Sequence, residues 1–170
     1  MKTLVLDEVH THLENLPHDI RHEIRRGQRE GLVFKEISQE EHENFLRMYR
    51  KRKGLEMPPF YRKIERKYYG IFDKNGAYCC SAALFPHDNR LVIQGVSIGE
   101  KCPYYAFTFF IYKCLTKAIA ENYKGLDLAG EGKWKRKWMP KEAHNTIDNI
   151  EYWLHWAHAK LKKVLLSFLQ

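Results

Sequence analysis

The fold is decided by residues 77–120, which read AYCCSAALFPHDNRLVIQGVSIGEKCPYYAFTFFIYKCLTKAIA. Ala77–Phe85 is an almost continuous apolar run, typical of a strand that is covered on both faces. After a turn at His87-Asp88-Asn89, Arg90–Ile98 is predicted to form the next strand. From Pro103 to about Tyr123 apolar residues surround the helix instead of forming a stripe. This stretch therefore predicts two adjacent strands followed by a central helix that packs on the sheet.

The residues before this stretch extend the sheet. Asp73-Lys-Asn-Gly76 is a hairpin turn in which Asn-Gly supplies positive φ angles, so Tyr69–Phe72 is predicted to be a strand. Pro58-Pro59 is predicted to introduce a helix carrying Phe60, Ile64 and Tyr68. Together these segments predict a three-strand antiparallel meander with a helix in front of it.

The first third of the chain is predicted to hold helices around one strand. Residues 1–30 are interpreted as a leader followed by a basic helix, which begins near Pro17 and stops at Gly31. Gly31–Ile37 has the β-branched and aromatic content of a strand. Ser38 and Glu41 have the spacing of a capping box, which predicts a helix that ends near Gly54.

The last part of the chain is predicted to add a strand, Gly125–Gly130, and a terminal helix from about Asn145. The helix has apolar residues at three- and four-residue steps, a stripe that could dock on the body of the protein or on another subunit. We therefore expect one α/β domain over residues 1–170, with a catalytic core at 31–143 and a C-terminal amphipathic helix at 144–170. A mixed, mostly antiparallel sheet with helices on both faces is the expected architecture.

Composition narrows the class of protein. The 170 residues have 44% apolar content, which suits a single packed domain and excludes a disordered tail. The chain has four cysteines, at positions 79, 80, 102 and 114, and none of their spacings is that of a metal site. We therefore expect reduced thiols, a cytoplasmic location and no metal site. Neither a secretory signal nor a membrane span is expected, because no apolar run has the required length.

Positive charge is clustered along the chain. The formal net charge is +8, and basic residues concentrate at Arg25–Arg29, Arg47–Lys53 and Lys133–Lys137. Each cluster alone also fits an ordinary solvated face. Together they favour an anionic partner, such as a nucleic acid or a phosphorylated cofactor.

Three segments resemble the second lobe of the Fem-type aminoacyl transferases, which have the acyltransferase fold of the GNAT superfamily. Arg21–Gly31 is similar to the arginine-rich helix that enters this lobe. The two strands and the aromatic helix of residues 77–120 resemble its meander and following helix. Leu126–Gly130, followed by Trp134-Lys135-x-x-Trp138, is similar to the family's Asp-x-Gly-Gly and Phe-Lys-x-x-Phe motifs, although Ala129 replaces a glycine and Trp134 a phenylalanine. The resemblance covers about residues 18–143.

This resemblance implies transfer of an aminoacyl or acyl group to an amine. Residues Glu100–Ala106 replace the pyrophosphate loop that is usual in GNAT enzymes, so plain acetyl-CoA is not the expected donor. Aminoacyl-tRNA, acyl-CoA and an acyl carrier protein, which is acidic, all remain candidates. No tightly bound cofactor is expected, since the donor would act as cosubstrate.

The resemblance also implies where the chemistry lies. Two neighbouring parallel strands, Leu91–Ile98 and Gly125–Gly130, would diverge and expose backbone N–H groups to the reacting carbonyl. Lys135 would stabilise developing negative charge at the mouth of this opening. The candidate catalytic residues are Lys135, Asp127 and Glu100, and the candidate donor-binding residues are Arg25, Arg26, Arg29, Lys101, Tyr104, Lys133, Trp134, Lys137 and Trp138.

Other interpretations stay open at this point. Asp127 and Glu100 also fit purely structural roles as a cap or a turn, and the two tryptophans fit core anchors as well as stacking surfaces for a base. Cys102 at a helix N-terminus could have a lowered pKa. A non-catalytic basic module that binds RNA is the alternative function, and a homo-oligomer formed through the terminal helix is a further hypothesis.

Overall fold

One seven-stranded sheet organises the part of the protein that the structure describes. The computed structural model describes residues 2–55, 65–129 and 132–144. The strand order is β2-β3-β4-β5-β6-β1-β7. In chain order the strands are β1 (Lys2–Leu6), β2 (Val33–Ile37), β3 (Lys67–Phe72), β4 (Tyr78–His87), β5 (Arg90–Ile98), β6 (Leu126–Asp127) and β7 (Lys141–His144).

Helices cover both faces of this sheet. They are α1 (His18–Arg29), α2 (Gln39–Arg52), α3 (Tyr104–Ala120) and the single turn α4 (Lys133–Arg136). Consecutive residues of β4 show the two faces, since Ser81 meets His42 of α2 while Cys80 meets the Ala106 carbonyl of α3. The α/β fold class with a mixed, mostly antiparallel sheet is therefore confirmed.

The elements form for local reasons that the sequence carries. The Ser38 hydroxyl accepts from the Glu41 amide while the Glu41 carboxylate accepts from the Ser38 amide, so the predicted capping box starts α2. Helices α1 and α3 approach closely at Gly27, where a Cβ atom would lie 2.7 Å from the Phe109 ring. Apolar residues surround α3 because the helix is enclosed by the sheet on one side and α1 on the other.

Two strands were not predicted. Lys2–Leu6 lies within the stretch interpreted as a leader, yet it forms β1 between β6 and β7, and residues 3–6 are all buried. Lys141–His144 forms β7, which pairs with β1 and is last in the order of the described strands. Both strands are short and become strands through pairing with residues more than a hundred positions away, so local sequence signals them weakly.

Other boundaries differ in detail. Tyr68, expected on a helix, lies in β3 and pairs with Ala83 of β4. Strand β6 is shorter than the predicted Gly125–Gly130, since it ends at Asp127. The helix predicted from Pro58, up to residue 64, and the terminal helix predicted from Asn145 lie outside the described residues. Within residues 2–55, 65–129 and 132–144, no helix is both long and apolar enough to cross a membrane.

Candidate active site

The two parallel strands of the sheet separate after a short contact. Strands β5 and β6 pair only at Leu91 with Leu126 and at Val92 with Asp127. Beyond these pairs β5 continues to Ile98 alongside β4 alone. The chain after β6 turns to the opposite neighbour, since the Leu128 amide donates to the Leu4 carbonyl of β1 at 2.9 Å. We call the space between Ile93–Ile98 and the residues Leu128 and Ala129 the β5–β6 gap.

Lys135 lies where β6 ends. Its ammonium Nζ donates to the carbonyl oxygens of Leu128 and, at 2.8 Å, of Ala129. The residue is only 8% exposed. Burial lowers the pKa of Lys135, and the charge of Asp127 opposes this shift. The structure thus holds a buried ammonium at the edge of the β5–β6 gap, and it was the sequence motif that pointed to this lysine.

Asp127 has structural partners in the strand end. Its Oδ1 atom accepts from the Thr3 hydroxyl and, at 2.7 Å, from the Ala129 amide. The second bond supports the left-handed backbone of Ala129, at φ +54°. A carboxylate held in this way is suited to fixing the loop and balancing the Lys135 charge. Thr3 was absent from the sequence prediction, because only the position of β1 brings it here.

Basic and aromatic side chains meet at the start of α3, which follows β5. Arg26 of α1 donates from Nη1 to the Tyr104 hydroxyl at 3.1 Å, and its guanidinium lies 4.6 Å from the centre of the Tyr105 ring. Tyr104 is 63% exposed. Of the other arginines predicted to bind the donor, Arg25 and Arg29 are exposed on α1.

Side chains of residues 133–138, which we call the α4 segment, contact α1 and α3. Glu23 of α1 accepts from the Thr108 hydroxyl and lies 3.4 Å from the ammonium of Lys137. Trp134 is half-buried with its ring edge-on to Phe107, the ring centres 4.9 Å apart. These contacts hold the segment that carries Lys135 against the helices. Neither Glu23 nor Thr108 was predicted, since their pairing depends on how the helices pack.

Trp138 corrects one prediction. It was a candidate for donor binding, but its side chain is fully buried in the main core. It offers no surface to a ligand, so its role is to anchor the α4 segment. The remaining candidates Glu100, Lys101 and Lys133 are exposed, the first two in the turn between β5 and α3.

The second basic cluster also reaches this end of β5. Arg52, at the end of α2, donates from Nη2 to the Ile98 carbonyl at 2.6 Å. Arg26 and Arg52 therefore lie on elements that cover opposite faces of the sheet. Positive charge is thus present on both sides of the end of β5.

Two other features are poor candidates for the reaction centre. A cleft of about 230 Å³ lies at the opposite end of the sheet, near Leu91 and Tyr69, away from the β5–β6 gap. The possibility of a lowered pKa at Cys102 is not supported: a hydrogen bond with Cys79 lowers the pKa of this thiol, but a hydrogen bond with Cys80 and burial raise it, to about 12. Among the described residues no group of three or more His, Cys, Asp or Glu side chains could hold a metal ion.

Comparison with known proteins agrees with this architecture. No protein-family model and no curated protein matches the sequence. FemX shares the fold with a TM-score of 0.68 and 9% identity, over 84% of this chain and 59% of FemX. L-PGS from Bacillus licheniformis gives 0.60 and 14% identity, over 83% of this chain and 57% of that one.

A third similar structure is the C-terminal domain of a protein from Agrobacterium fabrum assigned as a lysylphosphatidylglycerol synthetase. Its TM-score is 0.62 at 14% identity, over 83% of this chain and 57% of that one. The chain thus spans less than two thirds of each of these proteins. The predicted resemblance to a lobe of Fem-type transferases is confirmed at the level of the fold by the similarity to FemX.

Proposed function

We propose that the protein is an acyltransferase that moves an aminoacyl or acyl group from an anionic donor to an amine. The observation that carries this proposal is the β5–β6 gap with the buried ammonium of Lys135 at its edge. Similar folds in FemX and in proteins named for attaching a lysyl group to phosphatidylglycerol support the same class of reaction.

The reaction makes three demands on such a site. The nitrogen of the acceptor must be neutral when it attacks the carbonyl carbon. As the new C–N bond forms, the carbonyl oxygen becomes negative and needs hydrogen-bond donors or positive charge. The intermediate then expels the oxygen of an ester or the sulfur of a thioester, which takes up the proton that the nitrogen loses.

Lys135 is proposed to stabilise the negative oxygen. Its ammonium is held by two carbonyl oxygens, so it needs little reorganisation during the reaction. Asp127 is proposed to keep this lysine charged, because its carboxylate is nearby and already engaged with Thr3. Glu100, exposed in the turn after β5, is the remaining predicted candidate to take the proton from the nitrogen and pass it to the leaving group.

The donor is proposed to bind along the positive end of β5. Arg26, Tyr104 and Lys101 lie in or beside the turn and helix that follow this strand. An ester-linked nucleic acid and a phosphorylated thioester present the same chemistry there, a reactive carbonyl next to phosphates. Both classes of donor are therefore included in the experiment.

The test measures transfer of a labelled acyl group to a mixture of primary amines. Bulk aminoacyl-tRNA and acyl-CoA are supplied in parallel as donors. Lys135→Met keeps most of the length of the side chain and removes its charge, and we expect transfer to slow by about 100-fold or more. Lys124→Met, an exposed lysine at the other end of β6, is the matched control and should change the rate by less than about twofold.

Two results would contradict the proposal. One is the absence of transfer with either donor while the protein binds RNA, which would favour the basic RNA-binding module. The other is equal transfer rates in the two lysine variants. Thermal unfolding of both variants is measured alongside, so that a folding defect is not mistaken for a lost charge.

A further inference from the structure

A chain of polar side chains runs beneath β5 on the sheet face that α2 covers. His42 of α2 places Nδ1 2.9 Å from the Ser81 hydroxyl of β4. That hydroxyl lies 3.1 Å from the Tyr78 hydroxyl, which donates to the Ser97 carbonyl of β5 at 3.1 Å. His42, Ser81 and Ser97 are all buried. The chain therefore links three elements through the interior.

The hydrogens of this chain can point in only one direction. Tyr78 gives its single hydroxyl proton to Ser97, so its oxygen accepts from Ser81, and the Ser81 oxygen in turn accepts from Nδ1–H of His42. Burial lowers the pKa of His42 to about 4, which leaves the ring neutral at pH 7. Burial also raises the pKa of Tyr78, so its proton stays in place. Hydrogen bonds aligned in this way polarise and strengthen one another.

The chain ends where β5 bends. The register between β4 and β5 shifts between Ser81 and Ala83, as in a β-bulge. Gly95 lies in this bulge with φ +62°, and a Cβ atom there would come 3.4 Å from Nε2 of His42. The His42 ring thus packs against the bulge, and the Tyr78 bond fixes the strand two residues further on. Both contacts act on the part of β5 that has left β6.

We propose that His42, Ser81 and Tyr78 form a brace that sets the course of β5 beyond Gly95, and with it the width of the β5–β6 gap. The effect of the brace on the rate of transfer rests on the proposed function, whereas its effect on the course of β5 does not. These three are positioning residues, because they reach the reacting groups only through the backbone of β5. Their effect on structure can be measured without any substrate.

Tyr78→Phe tests the brace with little disturbance. The substitution removes one hydroxyl and keeps the ring, which stacks on Phe45 with the ring centres 3.7 Å apart. Tyr112→Phe is the matched control, since the Tyr112 hydroxyl also donates to a backbone carbonyl, that of Thr11 at 3.0 Å, outside the brace. Amide hydrogen exchange of β5 is followed by NMR in both variants.

We expect Tyr78→Phe to speed exchange of the amides at positions 96–98 by about fivefold, relative to those at 90–92 in the same strand. Ser81→Ala breaks the chain one link earlier and should give the same pattern. Tyr112→Phe should leave β5 unchanged. Equal exchange in the wild-type protein and in Tyr78→Phe would overturn the brace.

A second measurement tests positioning. With a donor that the wild-type protein uses, Tyr78→Phe should lower kcat about fivefold and change KM less than twofold, since the gap is misaligned after binding. Faster exchange with an unchanged kcat would overturn the positioning role. If the wild-type protein transfers no group, the proposed function fails, and the exchange experiment still decides the brace.

Discussion

Acid should destabilise the protein through His42, and the size of the effect follows from its surroundings. The ring is 1% exposed and lies against Tyr68, Ser81 and Gly95. Burial lowers its pKa from 6.5 to about 4, although the charge of Glu43 works in the opposite direction. In the unfolded chain the ring binds a proton near pH 6.5, whereas in the folded protein it does so only near pH 4. Stability is therefore lost as the pH falls through this window.

The difference in the His42 pKa between the unfolded and the folded protein corresponds to about 3 kcal/mol of unfolding free energy. About 2 kcal/mol of this stability is lost as the pH falls from 7.5 to 5.0. The assay is urea unfolding, followed by tryptophan fluorescence at several pH values in this range. Because carboxylates also titrate near pH 5, the informative quantity is the difference between wild-type protein and His42→Gln. The wild-type free energy of unfolding should fall by about 2 kcal/mol more than that of the variant.

His12→Gln serves as the control, because the His12 side chain is 57% exposed. It should follow the wild-type pH dependence. If wild-type protein and His42→Gln instead lost stability in parallel, the ring would not be held neutral by burial. The directed chain of hydrogen bonds beneath β5 would then lose one of its supports.

Three further substitutions test the packing around the site by their free energies of unfolding. Trp138→Ala should cost about 3–5 kcal/mol, because a fully buried indole leaves a large cavity. Gly27→Val should cost at least about 2 kcal/mol, since its Cβ would lie 2.7 Å from the Phe109 ring. Ala129→Gly should stabilise the protein by up to about 1 kcal/mol, because φ +54° is strained for alanine.

Exposed residues provide the controls for these three. Met139→Ala and Gln28→Val should each change stability by less than about 0.5 kcal/mol. Ala77→Gly should destabilise, opposite to Ala129→Gly, because Ala77 has no positive φ. The packing described here would be contradicted if Trp138→Ala or Gly27→Val left the free energy of unfolding unchanged. It would also be contradicted if Ala129→Gly lowered this free energy.

Local signals in the sequence were enough for most of the fold. The capping box at Ser38, the Asn-Gly turn before β4 and the aromatic helix α3 each rest on residues close in the chain. Strands β1 and β7 lack such signals, because their place is decided by pairing with each other and with β6. The same holds for Tyr68, whose side chain suits a helix face or a strand equally well.

The site was predictable to a lesser degree. A motif was enough to name Lys135 as a candidate, and in the structure its ammonium contacts the backbone just after β6. Thr3, which donates to Asp127, and Glu23, which accepts from Thr108, come from β1 and α1, so only the assembled fold reveals them. The motif also located Trp138, but a motif cannot distinguish a buried anchor from a surface on which a base stacks. His42 and Tyr78 are proposed to act by setting the course of β5, and a single sequence shows no pattern that identifies such residues.

The most direct test of the β5–β6 gap is NMR of the 15N-labelled protein with a non-hydrolysable donor analogue. The analogue carries an amide or thioether in place of the reactive ester or thioester, on the terminal nucleotides of tRNA or on pantetheine phosphate. We expect the largest shift changes at the amides of 93–98, 128–129 and 132–135. Changes confined to the cleft near Tyr69 and Leu91, at the other end of the sheet, would contradict it.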